Sequence, residues 1–180
     1  MPRDFLFAAK IPKSITHVAK LVDCSATLDT FLAEVSHLAP KLGPLLLQLP
    51  PKLAFDPDVA GPFCKLLDAD GRFTVVCEPR HASWFTPDAD AWLRERRIAR
   101  VAADPAKHDG ADVPGGWRGL SYYRLHGSPR MYYSAYGAER IELMREQLER
   151  DEAPQQWCMF DNTASGAAAA DALELHAALS

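Results

Sequence analysis

Short apolar runs alternate with amphipathic stretches along this chain, the pattern of repeated strand and helix units in a parallel sheet. The first run, Phe5-Leu6-Phe7-Ala8-Ala9-Lys10, predicts a strand. After Ser25, an expected N-cap, the residues Leu28, Phe31, Leu32, Val35 and Leu38 recur at helical spacing and mark one buried face. Gly43-Pro44 is expected to stop that helix, and Leu45 to Leu49 to form a second strand that Pro50-Pro51 ends.

A shorter helix is expected from Asp56-Pro57 to just before Gly71, followed by a third strand, Phe73 to Glu78. Thr86-Pro87 supplies an N-cap and a first-turn proline for a helix through Arg97. Ile98 to Ala103 reads as a fourth strand, with a Pro- and Gly-bearing loop after it from Asp104 to Gly119. The fifth strand, Leu120 to His126, is closed by Gly127-Ser128-Pro129. A helix over Ala138 to Arg150 buries Ile141, Met144 and Leu148, Gln156 to Phe160 forms the sixth strand, and an alanine-rich helix from Ser165 to Leu179 is last. No linker interrupts this series, so the expectation is one domain over residues 1–180.

Composition narrows the class. The 180 residues are 48% hydrophobic and 24% charged, proportions of an ordinary globular chain rather than a disordered or collagenous one. The formal net charge of -4 gives no global attraction to DNA or anionic membranes, so any anion site must be local. No segment approaches the roughly 20 apolar residues that span a bilayer, and Phe5 to Ala9 is too short for a signal-peptide core. Cys24, Cys64, Cys77 and Cys158 are scattered, without a CxxC or Cys/His cluster at metal-finger spacing, and read as reduced thiols in a cytoplasmic protein.

Chemistry enters where the polar residues fall. The apolar strands finish with Lys10, with Gln48, with Glu78 followed by Arg80 and His81, with Arg124 and His126, and with Asp161-Asn162. In parallel α/β folds the carboxyl ends of the strands share one face, so these groups are expected to converge. Within Ser121 to Gly127, strand alternation sets Tyr122, Arg124 and His126 on one face and Tyr123 and Leu125 on the other. An interior guanidinium needs a carboxylate partner such as Glu78, or an anionic ligand. Glu78, His126 and Asp161 are the acid/base candidates, and Lys10, Gln48, Arg80, His81, Arg124 and Asn162 the ligand-binding candidates. Bases outnumber acids in that set, which favours a small anionic ligand. The Tyr132-Tyr133 pair after Pro129 suggests an aromatic lip.

The sequence carries no GxGxxG, P-loop, GxSxG or HExxH, so nucleotide-cofactor, P-loop and serine-hydrolase readings lose their main support, and no cofactor is expected. Glu78, His81, His126 and Asp161 have no local ligand spacing, and no metal is expected.

Several motifs together resemble a known family: Phe5 to Pro12 with Ile15-Thr16-His17, Leu42 to Pro51, Glu78-Pro79-Arg80-His81-Ala82-Ser83-Trp84, Tyr122 to Gly127, and Phe160-Asp161-Asn162. They are similar, in order and over essentially the whole length, to the YecE-like family, known as domain of unknown function 72. The resemblance implies a TIM-type β/α barrel and places Lys10, Gln48, Glu78, Arg80, His81, Arg124, His126 and Asn162 on motif positions without giving any a catalytic role. The chain departs from the family at Pro79, where Phe or a similar residue is usual, and at Asp161, where Asn is common. The glycine- and tryptophan-rich start of the family is also absent. The expectation is therefore an incomplete, N-terminally shortened barrel with about six βα units against the eight of a full one.

Three functional readings follow. The first is binding of, or acid/base catalysis on, a small phosphorylated or sugar-like anion at the carboxyl ends of the strands. The second is a non-catalytic module for a nucleotide or nucleic-acid end, using the same positive face with Trp84, Tyr132 and Tyr133, and the acidic whole disfavours it. The third is an inactive, truncated barrel. An open edge at the first strand would leave room for self-association.

Overall fold

The computed structural model of the chain describes residues 5–69 and 71–180. It divides into two compact units, Met1–Ile98 and Ala99–Ser180.

In the first unit three strands, β1 (Phe7–Lys10), β2 (Leu42–Gln48) and β3 (Val75–Glu78), run parallel, with α1 (Ser25–Ser36) and α2 (Pro57–Leu67) as the crossovers and α3 (Pro87–Glu95) after β3. Parallel neighbours need such crossovers because a tight turn cannot return the chain to the same end of the sheet. Lys10 is in register with Leu46, and Gln48 with Glu78, so the three polar strand ends lie at one end of this sheet. Ile15, Leu28, Leu45, Leu47, Leu49, Phe63, Leu67 and Trp84 belong to the core that the helices close over it.

Capping agrees with the sequence at two of the three helices. Asp56 accepts from the Asp58 amide at the start of α2, and Thr86 accepts from Ala89 at the start of α3, each with proline in the first turn. In α1 the N-cap position falls to Cys24, whose side chain makes no capping bond, and Ser25 is the first helical residue. That helix also stops earlier than expected. Pro40 disfavours helical backbone at Ala39, and Gly43-Pro44 lies inside β2 instead. The β1–β2 register shifts between Phe7 and Ala9, and such an irregularity is where a strand tolerates proline. Two short turns were not legible in the sequence: a π-helical turn at Ser14–Val18 and a 3-10 turn at Ala82–Phe85.

Strand β4 (Ile98–Arg100) begins on the last residue of the first unit, and β5 (Ala102–Asp104) and the two-residue β6 (Gly115–Gly116) follow in the second. The expected single strand over Ile98 to Ala103 is thus split at Val101. Ala99 and Arg100 pair antiparallel with β6, whereas Ala102 to Asp104 pair parallel with β7 (Ser121–Leu125), so the chain changes partner between them. β7 in turn pairs parallel with β8 (Gln156–Phe160). α4 (Ala138–Arg150) connects β7 to β8, and α5 (Ala167–Ala178) follows. Tyr123, Leu125, Ile141, Met144, Leu148 and Leu175 pack as this unit's core. The alternation expected for β7 holds: Tyr123 and Leu125 enter this core, while Tyr122 stacks on Trp157 with ring planes 11° apart.

The fold is therefore mixed α/β with parallel sheets. Neither sheet closes on itself among the described residues. No helix among them is long and apolar enough to cross a membrane.

Candidate functional site

Gln48, Glu78 and Arg80, at the strand ends of the first unit, form one hydrogen-bonded group. Gln48, at the end of β2, donates its amide to both oxygens of Glu78 at 3.1 and 3.2 Å. Arg80 reaches back two residues and donates Nε and Nη2 to Glu78 Oε1 at 3.0 and 2.8 Å. Glu78 is 2% exposed, so its charge is far from water and is held by these donors. The in-register pairing of Gln48 with Glu78 explains why the amide and carboxylate meet. The partner that a buried amide among leucines requires is thus a carboxylate of the same sheet.

Lys10 ends β1 with an exposed side chain. The turn that follows it carries a residue that was read only as part of a motif, His17. Partial burial lowers its pKa below the ordinary histidine value, and the positive charges of Lys13, Arg80 and Lys10 lower it further. The available signal was the recurrence of basic residues at 10, 13 and 17, which an isolated reading of strand ends passes over.

His81, by contrast, is used locally. Its Nδ1 accepts from the Ser83 amide at 3.2 Å and lies 2.9 Å from the Ser83 hydroxyl, capping the 3-10 turn. Ser83 also accepts from the Phe55 amide at 2.7 Å, and the indole of Trp84 donates to Leu53 at 3.0 Å. This stretch pins the chain after β3 to the segment after β2. Trp84 is buried against Phe55 and Trp92 as a packing anchor.

In the second unit the strand-end groups meet on Asp161. Arg124 Nη2 lies 2.6 Å and His126 Nδ1 3.0 Å from the same oxygen, Oδ2. Both basic side chains are buried, while the carboxylate is 36% exposed. The carboxylate that an interior guanidinium requires is therefore present within its own unit. Alternation along β7 puts Arg124 and His126 on one face, and the β7–β8 register, with Leu125 opposite Phe160, brings Asp161 alongside them. Tyr132 meets the His126 ring edge-on with centroids 5.7 Å apart.

Asn162 turns away from that cluster. It is completely buried, and its amide donates to the Ser134 carbonyl at 2.9 Å and to Asp171 at 2.6 Å. Asp171 also accepts from the Tyr136 amide, and the Tyr136 hydroxyl accepts from Gly127. Asn162 thus ties the 127–136 loop to α5, a structural duty. Asp171, a buried acid within the alanine-rich helix, had no signal beyond its apolar neighbours. Tyr132 and Tyr133 are partly exposed in this loop, with the Arg130 guanidinium 3.9 Å from the Tyr133 ring centroid.

Comparison with known proteins follows the same lines. A family model described as "Protein of unknown function DUF72" matches residues 1–180. The chain is 34% identical over 107 residues to the UPF0759 protein YecE of Escherichia coli K12, a match covering 56% of this chain and 39% of that protein. The corresponding protein of Escherichia coli O157:H7 is 37% identical over a stretch with the same coverage. The match thus spans about two fifths of the length of these curated relatives. Among solved structures, a DUF72 family protein from Thermotoga maritima superposes with a TM-score of 0.80 at 25% identity, covering 99% of this chain and 75% of that one. One from Enterococcus faecalis gives 0.80 at 21% identity, covering 99% and 80%, and shows the fold alone.

Proposed function

The chain belongs to the DUF72 family, and from that premise we propose that it binds or transforms a small anionic metabolite at the carboxyl ends of its parallel strands. The reading takes each run of parallel strands as a segment of a TIM-type β/α barrel, a fold whose chemistry collects at those ends. Its main support is one arrangement found in both units: a strand-end carboxylate gripped by basic or amide donors, Gln48 and Arg80 on Glu78 and Arg124 with His126 on Asp161.

In this reading Arg80 and Lys10 attract and orient the anion, while Glu78 and Gln48 hold the Arg80 fork in place. In the second unit, His126 and Asp161 are the proton-transfer pair, because the imidazole is buried against a carboxylate that still reaches solvent. Arg124 holds the Asp161 carboxylate in position. His81 and Asn162 serve as supports for the loops that carry the site.

A thermal-shift screen of phosphorylated and carboxylated metabolites tests the reading. A true ligand raises the melting temperature in proportion to ln(1 + [L]/Kd). The increase should vanish in Arg80→Ala for a ligand held by the first unit, or in Arg124→Ala for one held by the second, with the circular dichroism of both variants native. A screen in which no anion stabilises the protein, or in which every hit stabilises both variants equally, removes the proposal.

A further inference from the structure

Beyond the strand ends themselves, the loop that follows β7 is firmly held. Tyr132 donates its amide to the His126 carbonyl at 2.5 Å and takes a φ of 69°. A bulky side chain on left-handed backbone is strained, so the surroundings must keep it there. Three consecutive carbonyls of the loop supply the hold. Tyr132 accepts from the Ala164 amide at 3.0 Å, Tyr133 from the Ser165 hydroxyl at 2.5 Å, and Ser134 from the Asn162 side-chain amide at 2.9 Å. All three donors come just after Asp161 in the chain, so the loop is stitched to the segment that carries the carboxylate.

The consequence is a fixed aromatic wall beside the His126–Asp161 pair. The Tyr132 ring meets the His126 ring edge-on at 5.7 Å, and His126 Nδ1 lies 3.0 Å from Asp161 Oδ2. His126 is buried, whereas Tyr132 is 39% and the Asp161 side chain 36% exposed, so the tyrosine ring and the carboxylate are the members of this trio that meet solvent. Arg130 stands two residues before Tyr132, in a turn closed by the Tyr133 and Ser134 amides on its carbonyl at 3.1 and 2.9 Å. Its exposed guanidinium lies 3.9 Å from the Tyr133 ring centroid, and no carboxylate among the described residues pairs with it. The ring face orders this cation without neutralising it.

We propose that Arg130, Tyr132 and Asp161 form a subsite for a phosphorylated sugar: the CH face of the sugar ring lies on Tyr132, a ring hydroxyl donates to Asp161, and Arg130 holds the phosphate. The inference rests on the anion-binding reading of the strand ends and names the substrate class of the second unit. An exposed carboxylate repels a bare anion at close range but accepts from hydroxyls, so the part of the ligand that meets Asp161 is a neutral donor. A partly exposed ring gains by covering apolar surface, and the CH face of a sugar offers such surface with its hydrogens turned to the negative face of the aromatic ring. Arg124, bound to Asp161 and only 8% exposed, is too buried to draw an anion from solvent. Arg130 supplies that charge. His126 touches both Tyr132 and Asp161 and so sets the spacing between them.

Amide NMR titrations with glucose 6-phosphate, ribose 5-phosphate, methyl phosphate and glucose decide the matter. At least one sugar phosphate should bind about tenfold or more tighter than methyl phosphate and than glucose, shifting the amides of residues 127–136 and of Asp161. Tyr132→Gly, which suits the positive φ, should weaken the sugar phosphate by about tenfold and leave methyl phosphate unchanged, and Tyr132→Phe should keep the parent affinity. A merely structural tyrosine would move both ligands together. Arg130→Gln, a change at an exposed side chain, should weaken sugar phosphate and methyl phosphate alike by about tenfold. Equal affinity for sugar phosphates and methyl phosphate, or sugar-phosphate affinity unchanged in Tyr132→Gly or in Arg130→Gln, overturns the inference. Shifts confined to the ends of β1, β2 and β3 and abolished by Arg80→Ala overturn it while leaving the broader anion reading intact. If none of the four probes binds, this assignment fails, and the metabolite screen then decides whether the broader reading falls with it.

Discussion

Arg124 and Asp161 lie 37 residues apart in the chain and 2.6 Å apart in space, with the guanidinium buried and the carboxylate at the surface of its unit. Removing the acid takes a partner away from a desolvated charge. Asp161→Ala should cost about 1–3 kcal/mol, below the usual range for a fully buried pair because Asp161 is partly solvated. Asp161→Asn keeps an acceptor for Arg124 and should cost less. Urea denaturation of the two variants at pH 7 reads the order, and an alanine variant as stable as the parent would show that the pair contributes nothing.

Gly127 closes β7 with φ at +91°, and a Cβ there would stand 2.9 Å from the Ser134 carbonyl oxygen and 3.0 Å from Asn162 Cβ. Both neighbours are fixed, one as backbone and the other in the Asn162–Asp171 network. Gly127→Ala is expected to lower stability by about 2 kcal/mol through strain and loosening of the loop. Hydrogen exchange at the Gly127 amide, which donates to Tyr136, should accelerate more than exchange within β8.

Asp151 is a second buried acid of the same unit. Burial pushes its pKa up, but the Ser121 and Tyr123 hydroxyls, the Ala153 amide and the Arg118 charge together outweigh that and leave it below the ordinary value of 3.8. A carboxyl depressed in the folded state stabilises the protein above its unfolded pKa, and that stability is lost as pH falls through the folded one. The advantage of the parent over Asp151→Asn in urea midpoint should therefore be constant at neutral pH and shrink below pH 3.8. A difference that grew on acidification would have the wrong sign. The Tyr123 hydroxyl, 2.5 Å from Asp151 and pushed up first by burial and then by that carboxylate, stays protonated throughout.

The thiols of Cys64 and Cys158 are pushed up by burial to about 11 and about 12 respectively. Almost no thiolate forms at neutral pH, and the thiolate is the reactive species. Alkylation followed by mass spectrometry at pH 7.5 should leave both unmodified in the folded protein and modify both in denaturant. Rapid native labelling of either would contradict the burial described.

Much of the fold was legible because local rules decide it. The start of α3 is written in Thr86-Pro87, and the spans of α4 and β8 follow from hydrophobic period alone. The strand-end position of Lys10, Gln48, Glu78 and Arg124 was equally plain, since a polar residue closing an apolar run stands out in one dimension. The π-helical turn left no such mark, because its few residues offer no period to read.

The sequence by itself determined most of the longer strands and helices, and that basic and acidic groups sit at strand ends, because backbone propensity and the alternation of side chains act over a few residues. The tertiary structure alone decided who partners whom: that Glu78 is shared by Gln48 and Arg80, that Asp161 rather than Asn162 meets Arg124 and His126, and that Asn162 serves Asp171 instead. Those choices depend on sheet register and on the cost of leaving a charge or amide unpaired away from water, and both are set by contacts between residues distant in the chain.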